Sequence, residues 1–101
     1  MKTNKEKIAI ILQYIEDHLD ENLSLDSLAQ YVGYSKYHLH RMLSELLGMP
    51  IHLYIQKRRL SKAAYELVHG EKEIVEIALA AGYSSQQAFH LAFKKGYKKT
   101  P

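Results

Sequence analysis

The feature that most constrains this chain is a pattern that occurs twice. Ala29-Gln-Tyr-Val-Gly33-Tyr34-Ser35 and Ala78-Leu-Ala-Ala-Gly82-Tyr83-Ser84 share a small residue, a glycine four positions later, then tyrosine and serine. Before the glycine the copies lie 49 residues apart, pairing Leu25 with Ile74 and Leu28 with Ile77. After the turn the offset is 50, pairing Leu39 with Phe89 and Leu43 with Phe93, so one extra residue sits in the second turn. An alanine lets two helices approach closely. Glycine takes the left-handed conformation of a tight turn, and serine caps the helix that follows. This is the arrangement of a helix-turn-helix unit, whose second helix stands nearly crosswise to the first. A single Ala-x-x-x-Gly match is common and fits a generic helical bundle equally well. Two matches, each followed by Tyr-Ser and an amphipathic helix, favour a pair of such units.

The rest of the chain reads as helix. Ile8, Ile11, Leu12, Ile15 and Leu19 follow the spacing of a helix with one buried stripe, expected from about Asn4 to Leu19 with Asn4 as its N-cap. Asp20-Glu21-Asn22 breaks it. Ser24 suits the N-cap of a second helix, Asp26 its positive first turn, and Leu23 with Leu28 a hydrophobic staple; Gly33 ends it. Ser35 caps a third helix, about Lys36 to Leu47, stopped by Gly48 and Pro50. A long fourth helix, about Ile51 to Val68, spans ~27 Å. A fifth, Ile74 to Ala81, carries Glu73 where the first copy has Ser24, so it is less well capped. A sixth starts at Ser84 or Ser85 and runs to about Lys95. No segment alternates as a strand does. The expected fold class is all-α, with two helix-turn-helix subdomains joined by a long central helix. Residues 1–48 hold the first helix and first unit, 49–70 the connecting helix, and 71–101 the second unit.

The sequence contains no cysteine, which excludes a disulfide scaffold, a Cys-based zinc finger, an iron–sulfur site and a thiol nucleophile. The longest apolar run, Ile8 to Leu12, is too short for a membrane span or a signal segment. The six histidines include no His-x-x-x-His pair, and no nucleophile elbow, phosphate loop or carboxylate pair is present. No metal, cofactor, membrane partner or enzymatic activity is expected. The net charge of +3 hides an asymmetry: residues 1–50 carry five Lys/Arg against seven Asp/Glu, and residues 51–101 nine against four. A basic half can attract a polyanion if its charges share a face.

Tyr37, His40, Arg41 and Ser44 form one stripe of the third helix, opposite Leu39, Met42, Leu43 and Leu46. An arginine can bond guanine O6 and N7 in the DNA major groove, and a tyrosine can contact a thymine methyl or a phosphate. In the sixth helix Phe89, Ala92 and Phe93 are the buried set, leaving Gln86, Gln87, His90, Leu91 and Lys94 outside. Glutamine is the bidentate reader of adenine. An outward Leu91 either packs on a neighbour or makes an apolar contact. Both stripes also suit ordinary solvent faces. Lys57, Arg58, Arg59 and Lys62, and Lys94, Lys95, Lys98 and Lys99, are candidate phosphate contacts. Arg58 and Arg59 face different ways on a helix, so one of them also suits an ion pair with Glu66 or Glu45.

Over essentially its whole length the chain resembles the DNA-binding domain of the AraC/XylS family of bacterial transcription regulators. The resemblance rests on Ser35-Lys-Tyr-His-Leu-His-Arg41, on Pro50 before a helix with Arg58-Arg59-Leu60 and Ala63, and on Ile77-Ala78. It continues through Gly82-Tyr83-Ser84-Ser85-Gln86, Phe89 and Phe93-Lys94-Lys95 to Thr100-Pro101. It implies sequence-specific binding of double-stranded DNA, with two recognition helices in successive major-groove segments, held about one DNA turn (~34 Å) apart and facing the same way. Tyr37, His40 and Arg41 match the family's base-reading positions in the first unit, and Gln86 and Gln87 those in the second. If DNA binds, Ser35, Lys36, Arg58, Ser85, His90, Lys94 and Lys95 are the expected phosphate contacts. Leu91 departs, because arginine is frequent there, which shifts the expected specificity toward the first unit. The family continues past Thr-Pro into a closing helix with a Tyr-Arg pair. The resemblance also implies RNA polymerase as a partner and, since Met1 leads directly into the domain, an effector-binding domain following it in a longer parent chain. Members with methyl-transfer repair activity need cysteines, which are absent here. A cytoplasmic, nucleoid-associated protein is expected. The competing reading is a helical protein-interaction module that binds another regulator or polymerase with weak DNA affinity, motivated by the mild charge and by Leu91.

Overall fold

A computed structural model describes residues 3–97 and is all-helical. The helices are α1 (Asn4–Asp17), α2 (Leu25–Val32), α3 (Lys36–Leu47), α4 (Ile51–His69), α5 (Ile74–Ala80) and α6 (Gln86–Tyr97). No strand occurs among the described residues. The chain divides into two compact units inside α4, between Ile55 and Gln56. Lys98, Lys99 and Thr100-Pro101 lie outside the described residues.

In the first unit, Ile8, Ile11, Ile15 and Leu19 pack with Leu28, Ala29 and Val32 of α2, Leu39 and Leu43 of α3, and Ile51 and Ile55 of α4. The buried residues of α1 follow the spacing expected of a one-sided helix. The second unit has a smaller core built around Phe89, with Phe93, Ile77, Ala78, Ala81 and the α4 residues Leu60 and Ala63. Tyr83 and Phe93 flank the Phe89 ring at centroid distances of 5.7 Å each. That spacing lies in the favourable range for aromatic pairs.

Caps set the helix starts. Ser24 accepts the Ser27 amide, and Ser35 accepts the His38 amide at 3.1 Å. The sixth helix is capped by Ser85, whose Oγ accepts the Ala88 amide at 3.0 Å, so of the two serines it is the later one that serves. The first helix corrects the sequence expectation. Its N-cap is Thr3 rather than Asn4: the Thr3 hydroxyl accepts the Glu6 amide while the Glu6 carboxylate accepts the Thr3 amide, a reciprocal capping box. Asn4 instead accepts a hydrogen bond from the Tyr34 hydroxyl. At the other end α1 stops at Asp17, where the His18 Nδ1 donates to the Tyr14 carbonyl at 2.8 Å. Glu73 begins α5 without a side-chain cap bond, as its carboxylate in place of serine suggests.

Each repeated turn closes with the same pair of backbone bonds. The Tyr34 amide reaches the Ala29 carbonyl at 2.9 Å and the Gly33 amide the Gln30 carbonyl at 3.3 Å; Tyr83 to Ala78 is 3.1 Å and Gly82 to Leu79 is 3.0 Å. This is the Schellman pattern, which satisfies the orphan carbonyls of a helix end and requires a left-handed residue. Gly33 and Gly82 supply it, with φ of 76° and 92°.

The two glycines differ in what surrounds them. A β-carbon on Gly33 would meet open space, whereas one on Gly82 would lie 3.4 Å from Nη1 of Arg59 on α4. Gly33→Ala is therefore expected to cost about 1 kcal/mol, the left-handed penalty alone. Gly82→Ala should cost more, about 2 kcal/mol, because Arg59 must also give way. Urea unfolding of both variants checks the order. Glu73→Ser, which installs the missing cap, should raise stability by about 0.5–1 kcal/mol in the same assay.

Candidate nucleic-acid interface

The third helix buries Leu39 and Leu43 completely and turns Tyr37, His40 and Arg41 outward; Tyr37 is 73% exposed. Ser35 and Lys36, at its N-terminus, are exposed as well. The Ser35 oxygen is used as an acceptor by the His38 amide, but its own proton remains available to a phosphate oxygen. Lys36 Nζ lies 3.7 Å from an Asp26 carboxylate oxygen. Both side chains are largely exposed, so the pair is weak and a phosphate can compete for the lysine.

Two residues of this helix depart from the expected faces. Ser44, assigned to the outward stripe, has its Oγ buried. The hydroxyl does not reach the surface, although the residue as a whole is only half-buried. Leu46, assigned to the buried side, is 60% exposed and sits on the rim of a groove between α1 and α3, with Ile8, Met42 and Glu45. The apolar stripe of α3 extends further round the helix than α1 covers.

The sixth helix repeats the design with different chemistry. Phe89 and Phe93 face the core, while Gln86, Gln87, Leu91, Lys94 and Lys95 are exposed and His90 is half-buried. Ser85 is exposed and, like Ser35, keeps a proton to donate. Both helices start immediately after their serine caps. Aligned cap to cap, Tyr37 corresponds to Gln87, His40 to His90, Arg41 to Leu91 and Ser44 to Lys94. The change of offset at the turn thus keeps the outward stripes in register with their caps.

The basic cluster of α4 is less uniform. Lys57 and Lys62 are exposed, whereas Arg58 and Arg59 are half-buried. Arg59 lies against the turn glycine Gly82. Glu66, a suggested arginine partner, lies 3.9 Å from Lys72. The contact of Arg59 with the turn was not foreseen: the two residues are far apart in sequence, and no local pattern marks it. Among the described residues no helix is long and apolar enough to cross a membrane.

Residues 28–101 match the family model described as a helix-turn-helix domain. The chain is 47% identical over 91 residues to the transcriptional regulator Rob of Salmonella typhimurium, an alignment covering 90% of this chain and 32% of Rob. It is 36% identical over 99 residues to the regulatory protein SoxS of the same organism, covering 98% of this chain and 92% of SoxS. Among solved structures, a transcriptional regulator from Chromobacterium violaceum, described as containing an AraC-type DNA-binding domain, superposes with a TM-score of 0.88 at 33% identity. That match covers 96% of this chain and 87% of the other. The chain thus spans about a third of the length of Rob and nearly all of SoxS. With a family model over most of its length, a full-length relative and a fold match that agree, this chain belongs to the AraC-type helix-turn-helix DNA-binding domains.

Proposed function

We propose that the chain regulates transcription by binding double-stranded DNA sequence-specifically, with α3 and α6 each reading one major-groove segment. The observation that carries this reading is the duplicated geometry: two serine-capped helices, each after a left-handed glycine turn, each with an exposed polar stripe. Tyr37, His40 and Arg41 read bases from α3, and Gln86 and Gln87 from α6. Ser35, Lys36, Arg58, Ser85, His90, Lys94 and Lys95 hold phosphates. Arg59 belongs to the turn rather than to the DNA.

The function of Rob and SoxS as regulators supports the transcriptional role. RNA polymerase is a further partner in this reading, and an effector-binding domain belongs to the longer form of the regulator that Rob exemplifies in length. The place of action is the cytoplasmic nucleoid.

Selection from random oligonucleotides at fixed salt tests the central claim. Two blocks of constrained bases about 10–10.5 bp apart are expected. If no sequence is enriched while a polymerase subunit is retained, the protein-interaction reading takes its place.

Charge and base readout should separate. Replacing Lys94 and Lys95 with alanine should weaken binding about equally on all sequences and flatten the slope of log affinity against log salt by roughly 1 to 2 units. Altered discrimination at constant slope would remove the phosphate assignment. Arg41→Ala should cost roughly 1–3 kcal/mol on the best site and relax preference at one or two base pairs. Gln87→Ala should cost less, since a lone neutral amide competes poorly with water. Equilibrium titrations on the selected operator decide between the two, with circular dichroism confirming that each variant is folded.

A further inference from the structure

The sixth helix carries a large apolar side chain in the middle of a polar stripe. Leu91 is 62% exposed. The core positions of its helix are already filled by Phe89 and Phe93, with half-buried Ala88 and Ala92 beside them. The sequence left two explanations for an outward leucine, packing on a neighbour or an apolar contact elsewhere. The exposure favours the second, because among the described residues no neighbour in its unit covers most of the side chain.

What surrounds Leu91 indicates what does cover it. Gln87 lies four residues earlier and Lys94 three residues later, so all three share one face of α6. His90 and Lys95 border that face. Cap-to-cap alignment places Leu91 where α3 has Arg41. An apolar group flanked by an amide and a lysine is not suited to a purely apolar partner surface. It is suited to the major groove, where the one apolar feature offered by the bases is the thymine C5 methyl. Four residues of helix rise about 6 Å, close to two base-pair steps, so Gln87 and Leu91 can address base pairs about two steps apart.

We propose that Leu91 is a specificity-determining residue that reads a thymine methyl, about two base pairs from an adenine read by Gln87. This rests on the DNA-reading function proposed above for α6. The contact excludes cytosine by missing a methyl rather than by a hydrogen bond, and it is independent of salt. Arg41 at the matching position of α3 instead takes a guanine, so the two half-sites differ in kind.

The test uses the whole chain and the oligonucleotide it selects. Each thymine of the half-site assigned to α6 is replaced in turn by deoxyuridine, which deletes the methyl and leaves base pairing intact. One replacement should weaken binding about fourfold, the value of one buried methyl-sized group. Leu91→Ala should bind the thymine site several-fold more weakly and be indifferent to that same replacement, giving a positive coupling in the double-mutant cycle. As an exposed residue, Leu91 can be replaced without loss of the fold, and circular dichroism verifies this. The proposal is overturned if wild-type chain binds thymine and deoxyuridine sites equally at every position, or if Leu91→Ala loses the same factor on both. A chain that selects no sequence overturns both this proposal and the DNA-reading function. A chain that selects a sequence but ignores the methyl overturns this one alone.

Discussion

Both units depend on one short piece of backbone, the glycine turn that joins their last two helices. A helix end leaves carbonyls without partners, and buried or half-buried carbonyls are costly unless bonded. Here the amides of Gly33 and Tyr34, and of Gly82 and Tyr83, return to those carbonyls. The geometry needs a left-handed residue, which explains the glycine. The following tyrosine is then fixed in direction and serves as a packing element. In the first unit, Tyr34 bonds Asn4, carries the Lys7 ammonium over its ring at 4.7 Å and meets the edge of His38. In the second, Tyr83 lies beside Phe89. One local rule is thus anchored differently in its two copies.

The asymmetry continues in the helices before the turns. The second helix has a serine cap and the buried Leu28, Ala29 and Val32. The fifth has seven residues, no side-chain cap, and only Ile77 and Ala78 buried within Ile74–Ala80, while Val75 and Leu79 remain exposed. Fewer buried contacts and an open helix start place α5 toward the low-stability end of the molecule. Arg59 offsets part of this by packing its side chain on Gly82 from α4.

Much of this was legible in the sequence, for identifiable reasons. Glycine stops and serine caps act within a few residues, so Gly33, Gly82, Ser24 and Ser35 were readable from local spacing. The stripe Ile8, Ile11, Ile15, Leu19 was readable because one face of α1 is buried throughout. Thr3-x-x-Glu6 is equally local, but the adjacent Asn4 is also a good capping residue and competes with it in the sequence. Ser44 and Leu46 were misplaced for a different reason. Periodicity gives the angle of a residue about its helix, but not how far a neighbouring helix extends over it. The Arg59–Gly82 contact joins distant positions and has no periodic signature at all. For the candidate site, the residue types on α3 and α6 were legible, but the exposure of Leu91, which separates its two explanations, was a matter of packing.

The distribution of charge gives the proposed interface its division of labour. Nine Lys/Arg against four Asp/Glu fall in residues 51–101, while the first fifty residues are net acidic. Phosphate attraction therefore comes mainly from the second half of the chain, and it acts on any DNA sequence. The outward stripe there is composed of amides, a leucine and lysines, and in the proposed reading the lysines would hold phosphates while the leucine would discriminate by a methyl. On α3, Tyr37, His40 and Arg41 stand out with less local positive charge to back them, so contact there is gained only where the base edges match. A module arranged in this way does not need two equally selective helices. In the proposed function a general electrostatic grip would bring the less charged reader to many sites, and the arginine would retain only those that satisfy its paired donors.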